Sequence, residues 1–372
     1  MKKKIRLLIV GAFPPKNLLI YGGIITTCKT LLESDFPNHF DLILIDSTQR
    51  SNPAPGIISR ILFAITRFSK FLHALFTKNP NAILLFTALG ASVLEKGTMA
   101  KFARFLNIPV FIFPRGGELI EIINKSWLQR LLLIPALQNA SFLLCQGDVW
   151  HRFATDVLGY PKSRAPIIHN WSATPELLNI GAERQNSIDN PITKVLFIGW
   201  LEKEKGIFDL LRACQILFKD HQFLLTIAGS GHAEREAKAF VVSNSLNEKI
   251  RFVGWVQGDN KINLLRNSDI LVLPSWAEGF PNAVIEAMAA KLAVVVTNVG
   301  NIPSLINDRH QALLIPPNNV DAIVGALNIL LIDPPFRYQL AAQGYEFAKN
   351  TFSTEAGVSK LSALIKQSIV LD

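Results

Sequence analysis

Short apolar runs rich in branched residues alternate along this chain with longer segments in which apolar positions recur every three to four residues. The first pattern predicts buried strands and the second predicts amphipathic helices. In the first half the strand runs are Ile5–Val10, Phe40–Ile45, Ala82–Phe86, Val110–Phe113 and Phe142–Cys145. Helical spacing fills Ile24–Glu33, Gly56–Thr77 and Val93–Leu106 between them. A polar, turn-rich stretch, Ser172–Pro191, interrupts the rhythm. It then resumes with strands at Lys194–Ile198, Phe223–Ala228, Ile250–Val253, Ile270–Leu273, Ala293–Thr297 and Ala312–Ile315. Helical patterns at Ile207–Lys219, Glu234–Ser243, Lys261–Asn267, Ala283–Ala290 and Val320–Leu331 separate these strands.

Strand–helix alternation of this kind predicts an α/β protein with parallel sheets, here in two successive Rossmann-like halves. The expected division is a first Rossmann-like domain over residues 1–172, a linker over 173–190, a second Rossmann-like domain over 191–350 and a C-terminal helix over 351–372. That helix is expected to pack back on the first domain. Ligand binding is expected in a cleft at the carboxyl ends of both sets of strands.

Composition narrows the class. With 372 residues, 49% of them hydrophobic and 18% charged, the chain suits two buried α/β cores and not a disordered polymer. A formal net charge of +9 calls for an acidic partner: a phosphorylated ligand, an anionic membrane surface or nucleic acid. No nucleic-acid module is visible, which sets the last aside. Cys28, Cys145 and Cys214 lie far apart, so neither a disulfide nor a zinc framework is expected, and a reducing cytoplasm fits. The opening "MKKKIRLLIVGAFPP" has a short apolar run ending in a double proline and reads as a first core strand. No apolar run reaches the roughly 18 residues of a membrane span. A cytoplasmic protein, free or peripheral at the inner membrane face, is therefore expected.

Candidate chemistry gathers in two stretches. In "PSWAEGFPNAVIEAMAA", Glu278 sits in a turn and Glu286 in an apolar helical pattern. Pro281-Asn282 opens that helix, presenting backbone N–H groups and a positive dipole end suited to phosphate, and Gly279 permits close approach. Glu286 is too far along the helix to touch such a phosphate and could instead accept hydrogen bonds from sugar hydroxyls. In "VLFIGWLEKEKGIFDLLRA", Lys205-Gly206 precede a helix after a strand, which places Lys205 at the carboxyl end of the sheet. Lys203 is the more solvated member of that charged run.

Together these stretches resemble the retaining, nucleotide-sugar-dependent glycosyltransferases of family 4, which have the GT-B fold. The family's strand–Gly-Arg-Leu–x–Lys-Gly segment corresponds to "GWLEKEKG", and its E-x7-E segment to "EGFPNAVIE". "LLTIAGSGHAERE" and "IRFVGWV" are similar to its glycine turn and base-binding segment. The likeness is closest over Lys194–Ile315, and looser at Gly22-Gly23 and at "FPRGGEL" (Phe113–Leu119).

The resemblance implies that Glu286 holds the donor ribose and Glu278 the transferred sugar. Backbone groups of Gly279, Phe280, Pro281 and Asn282 would face the diphosphate, and Lys205 would neutralise charge on it as it leaves. The base would lie near Trp255 and Val256, and Gly22-Gly23 would close on the diphosphate. The implied partners are a nucleotide-sugar donor and a glycan or lipid-linked acceptor, with no cofactor and no metal. The implied product is a cell-surface polysaccharide or lipopolysaccharide. An epimerase or phosphorylase on the same fold, or a binding protein without turnover, are the alternatives.

Several positions depart from the family pattern. Trp200 stands where a partner arginine is usual, with Lys203 or Arg115 as candidate substitutes for phosphate or acceptor contact. Arg115 also replaces the usual histidine, "HNWSA" keeps Asn170 without the following Asp, and Lys291-Leu292-Ala293 replaces a Gly-x-Pro. Finally, "GIISRILFAITRFSKFLHALFTK" and "NKSWLQRLLLIPALQ" interleave apolar and basic residues. They read either as core helices with basic solvent faces or as helices that lie on anionic lipid.

Overall fold

The computed structural model describes residues 4–14, 22–49, 55–116, 119–185 and 192–370. The segments 117–118 (within "FPRGGEL") and 186–191 (the end of the expected linker) lie outside the described residues. Two compact units emerge, one comprising Met1–Trp171 with Thr354–Asp372 and the other Ser172–Ser353.

The first unit runs β1 (Ile5–Gly11), α1 (Gly23–Glu33), α2 (Phe36–His39), β2 (Phe40–Asp46), α3 (Ile57–Lys78), β3 (Ala82–Thr87) and α4 (Ala91–Phe105). It continues with β4 (Val110–Pro114), α5 (Leu119–Lys125), α6 (Trp127–Gln138), β5 (Phe142–Leu143) and α7 (Asp148–Arg152). Its strands form a parallel sheet in the order β2-β1-β3-β4-β5. Both faces are covered, which is why the strands read as continuous apolar runs. Side-chain alternation sorts the two faces. Leu8, Val10, Ile83, Leu85 and Ile112 pack with residues of α3, α4 and α6. Leu7, Ile9, Leu84, Phe86 and Phe111 pack with α1 and with the last helix of the chain.

The second unit opens with α8 (Pro175–Glu183), β6 (Thr193–Ile198), α9 (Ile207–Leu217), β7 (Phe223–Ala228), α10 (Glu234–Ser243) and β8 (Ile250–Gly254). Next come α11 (Asp259–Arg266), β9 (Ile270–Leu273), α12 (Asn282–Ala289), β10 (Ala293–Thr297), α13 (Ile302–Leu305) and β11 (Leu313–Ile315). Helices α14 (Val320–Ile332) and α15 (Pro334–Phe352) complete it. Its parallel sheet has the order β11-β10-β9-β6-β7-β8. The chain order therefore reverses between β6 and β9, and that switch point is where open α/β sheets leave room for a ligand.

Two differences from the sequence reading stand out, in the expected linker and in the run Phe142–Cys145. Residues 173–190, expected as a linker, contain α8, capped by the Thr174 hydroxyl on the Leu177 N–H, with Pro175 in the first turn. Its Leu177 and Ile180 enter the second core, so this stretch belongs to that unit. Polar flanks and a short apolar stripe concealed it. The run Phe142–Cys145 pairs as a strand only over Phe142–Leu143, after which Cys145 bridges Ile167 instead. The final helix α16 (Thr354–Val370) belongs to the first unit and inserts Val358, Leu361 and Ile365 beneath β1 and β4.

Arg184, just after α8, ties this unit together. Its guanidinium donates to the carbonyl oxygens of Ala290 (2.9 Å), Ser268 (2.8 Å), Leu265 (2.7 Å) and Arg266 (2.9 Å). These carbonyls end α11 and α12, where a cation also meets the negative end of each helix dipole. Arg184→Met is expected to lower unfolding free energy by about 3 kcal/mol, because several acceptors lose a charged donor at once. The check is a lower urea midpoint at unchanged denaturant slope.

Candidate functional site

Loops leaving β6, β7, β8 and β9 converge at the switch point of the second unit. The loop after β6 turns through a 3-10 segment, Lys203–Lys205, into Gly206, whose φ of 70° is left-handed. A Cβ at Gly206 would strike the Pro274 carbonyl oxygen, so glycine is required for this loop to lie against the end of β9. The Trp276 N–H donates to the Glu204 carbonyl at 2.7 Å and fastens the two loops. Lys205 then reaches Glu278, its Nζ 2.5 Å from Oε1. The two candidates that are 73 residues apart in sequence thus form one ion pair at the switch point.

The second carboxylate is more deeply placed. Glu286 lies in the second turn of α12 and is only 4% exposed. A buried carboxylate needs a compensating cation. Lys261 of α11 supplies it, with Nζ 2.7 Å from Oε1. Lys261 was not among the sequence candidates. On α11 the apolar pattern marks Ile262 and Leu265 as inward, and nothing in it shows that the flanking lysine crosses to another helix.

Backbone geometry holds the segment 278–282. Asn301 N–H donates to the Gly279 carbonyl at 2.9 Å. Gly300, with φ 61°, sits where a Cβ would strike the Glu278 carbonyl oxygen. The Phe280 ring lies in the core, 4.8 Å from Phe352, which leaves on the loop its backbone, the part the sequence reading assigns to the diphosphate. Aromatic insertion is what pins this turn. Pro281 precedes α12, whose N-terminus carries no side-chain cap, and the same holds for α9 behind Gly206. Two helix N-termini therefore follow the paired loops, each with a positive dipole end. The Asn282 side chain accepts from the Ser172 hydroxyl at 2.8 Å.

On the β8 side, Trp255 packs on Trp200 with ring centroids 4.6 Å apart and planes tilted by 40°. Val256, next to it, is half-buried. Trp200, where the resemblance leads one to expect arginine, thus contributes a flat apolar wall and no charge. Lys203 stands apart from Lys205: it is exposed, lies 3.5 Å from Glu236 of α10 and rests over the Phe208 ring. Glu202 accepts from the His232 N–H at 3.2 Å and lies 2.8 Å from its Nδ1, joining the β6 and β7 loops.

The remaining candidates belong to the first unit and meet there. Gly22 (φ 158°) and Gly23 begin α1, and the Thr27 hydroxyl donates to the Gly23 carbonyl at 2.9 Å. Arg115, following β4, donates from Nη2 to Thr27 Oγ1 at 2.8 Å, with its guanidinium carbon 4.9 Å from the Phe113 ring centroid. Its Nη1 is enclosed and has no hydrogen-bond partner among the described residues. Burial pushes the Arg115 pKa down to about 10, and it pushes the neighbouring Cys28 thiol up to about 12. Both values keep arginine charged and cysteine neutral near neutrality, which leaves a cation beside the start of α1 and no thiolate nucleophile.

The sequence has relatives that bear on this arrangement. Residues 182–347 match the family of glycosyl transferases group 1. An uncharacterized glycosyltransferase of Methanocaldococcus jannaschii is 30% identical over 49% of this chain and 48% of its own length. The O-antigen chain mannosyltransferase B of Escherichia coli is 32% identical over 43% of this chain and 42% of its own. The chain thus spans about half the length of the curated relatives it matches. Among solved structures, Anabaena HepE in complex with UDP-glucose superposes with a TM-score of 0.71 at 14% identity, over 98% of this chain and 100% of that one. The fold is GT-B, two Rossmann-like parallel-sheet domains. In sequence, the second unit over residues 182–347 is similar to glycosyl transferases group 1.

Because Gly300 backs directly onto Glu278, Gly300→Ala is expected to displace the 278–282 segment and to cost about 1–3 kcal/mol through strained backbone. Thermal melting checks the loss. Fluorescence of Trp276, in the same loop, is expected to shift with it.

Proposed function

We propose that this protein is a retaining glycosyltransferase that moves a sugar from a nucleoside diphosphate sugar to a glycan acceptor in cell-surface polysaccharide synthesis. The observation that carries the reading is the Lys205–Glu278 pair at the switch point, with the Glu286–Lys261 pair beside it. A neutral sugar flanked by a diphosphate and a ribose requires a cation, hydroxyl acceptors and backbone donors close together, and this cluster supplies all three. HepE, of the same fold, was solved with UDP-glucose, and the O-antigen mannosyltransferase is a relative in sequence; both support the donor and acceptor classes.

In the reaction, the acceptor hydroxyl oxygen bonds to the anomeric carbon while the bond from that carbon to the diphosphate oxygen breaks. The bonding electrons leave with the diphosphate, and the acceptor proton passes to a departing phosphate oxygen, on the same face of the sugar. Negative charge therefore grows on the diphosphate. Lys205 is placed to turn from Glu278 toward that charge, and the N-termini of α9 and α12 are fixed dipoles that need no reorganisation. Glu278 accepts hydrogen bonds from the transferred sugar, and Glu286, paired with Lys261, accepts from the ribose hydroxyls. The Trp255–Val256 segment provides a wall for the base, and around the Pro281 turn the backbone N–H groups of Gly279, Phe280 and Asn282 face the phosphates. In the first unit, Gly22, Gly23 and Arg115 contact the acceptor or the diphosphate. The positive charge needed for departure is supplied by protein groups, so no metal is required in this scheme. No carboxylate acts as nucleophile, so the paired-carboxylate distances of glycoside hydrolases do not apply.

A panel of UDP-, GDP- and ADP-sugars, read by thermal shift and by slow hydrolysis, tests this directly. At least one donor is expected to raise the melting temperature and to be consumed. Lys205→Ala is expected to lower turnover by about 10²–10³ while donor stabilisation largely persists. Glu286→Ala is expected to abolish the stabilisation itself. A panel in which no nucleotide-sugar binds or reacts overturns the proposal. Tight binding without turnover of donor in any arm points instead to a binding protein, the role that Trp200 in place of a cation would suit.

A further inference from the structure

Helix α3 has 22 residues and spans about 33 Å at 1.5 Å per residue. Strand β2 before it has 7 residues and spans roughly 23 Å. The helix outruns the sheet, and only Phe71, Ala74 and Leu75 in its C-terminal half are buried. Its first turns are nevertheless apolar: Ile57 is 72% and Ile58 74% exposed, and Ile61, Leu62 and Ile65 are exposed as well. Helix α6 repeats the pattern. Trp127 is 78% and Leu131 60% exposed, with Leu128 and Leu132 beside them, while Leu133, Ala136 and Leu137 further along are buried.

Both helices lie on the same face of the first sheet, in the layer that packs on Leu8, Val10, Ile83 and Ile112. Each runs back from the carboxyl end of a strand to the start of the next parallel strand, so both N-terminal halves sit at the carboxyl edge of that sheet. Middle helix α4 is drawn close between them, since a Cβ at Gly97 would strike the backbone of Ala136. The exposed apolar residues thus form one border and not two scattered sets.

Charge decides what covers it. Arg60 and Arg130 are exposed and lie within a turn of these apolar positions. The only acidic residues on α3, α4, α5 and α6 are Glu95 and Glu121, and both are already paired. Glu95 holds Arg67 at 2.7 Å and Lys96 at 2.9 Å, and Glu121 holds Lys125 at 2.6 Å. Burial tends to raise the Glu95 pKa, but the bonds from Arg67 and Lys96 outweigh it and hold the carboxyl below its ordinary value. The core of a protein–protein interface is depleted in charge. Here cations with no carboxylate partner among the described residues are threaded among isoleucine, leucine and tryptophan, the composition of a helix lying in a lipid headgroup layer. Among the described residues no helix is long and apolar enough to cross a membrane.

We propose that the N-terminal halves of α3 and α6 form a docking surface for a bilayer containing anionic phospholipid, with the apolar side chains entering the interface and Arg60 and Arg130 meeting phosphate headgroups. The test is co-sedimentation of the full chain with vesicles of phosphatidylglycerol and phosphatidylcholine in equal amounts, and of phosphatidylcholine alone. Binding to the anionic vesicles is expected, weaker binding to the neutral ones, and release as salt rises. Arg60→Gln with Arg130→Gln is expected to lower the partition coefficient about fivefold per charge removed. Ile58→Ser, Ile61→Ser and Trp127→Ser together are expected to lower it tenfold or more. All five side chains are exposed, so melting temperatures are expected to stay within a degree or two of wild type, on the order of a surface substitution. Failure to bind anionic vesicles at low salt overturns the proposal. So does binding that neither set of substitutions weakens, or self-association through this border, seen by sedimentation velocity, in place of lipid binding.

Discussion

A carboxylate withdrawn from water survives only with a cation brought to it, and the second unit is arranged around meeting that demand twice. Glu286 is buried in α12 and depends on Lys261 of α11; Glu278 depends on Lys205 behind β6. Each pair joins residues that are distant in sequence, so the sheet order that places β6 beside β9 is a precondition for the site. The close backbone contacts at Gly206–Pro274 and Gly300–Glu278 are the steric side of the same constraint. A side chain at either glycine would push the loops apart and leave a carboxylate unpaired. Such pairs contribute little net stability once desolvation is counted. Their value lies in placing oxygen acceptors and an ammonium group at fixed positions before any ligand arrives, which is the condition for electrostatic catalysis without reorganisation.

Much of this was legible from the chain. Alternation of apolar runs with helical spacing gave the elements of both sheets to within a residue or two, because parallel strands buried on both faces leave an unbroken hydrophobic signature. The spacing of Glu278 and Glu286 around Gly279 and Pro281 marked the loop–helix junction, since turn chemistry is local. What could not be read was long-range or masked by polarity. Lys261 resembles any solvent-facing lysine until α11 and α12 are docked. Helix α8 hid behind polar neighbours. That the core needs the Phe280 ring was likewise hidden, because the turn around it reads as polar loop. The Trp200–Trp255 contact was equally invisible, because a ring contact between the loops after β6 and β8 leaves no periodic trace.

The two units divide the chemistry by charge and polarity. In the second, cations are matched to carboxylates near the sheet's switch point, and under the proposed function Lys205 and the helix dipoles would meet the diphosphate. In the first, Arg115 is enclosed beside α1 with one nitrogen unpartnered, while the outer helices carry basic residues among exposed apolar ones. The net charge of +9 is thus not spread evenly as solvation. Part of it is concentrated where a phosphate-bearing surface or substrate would meet it, as expected when electrostatics steers association more than it holds the fold.

Hydrogen exchange followed by mass spectrometry, with and without a nucleoside diphosphate sugar, tests the central claim most directly. Slowed exchange is expected in the segments holding residues 199–207, 254–263 and 275–289, because a bound donor would order the loops after β6, β8 and β9 together. Unchanged exchange in all three segments under saturating donor, or protection confined to other parts of the chain, would contradict a donor site built on Lys205, Glu278 and Glu286.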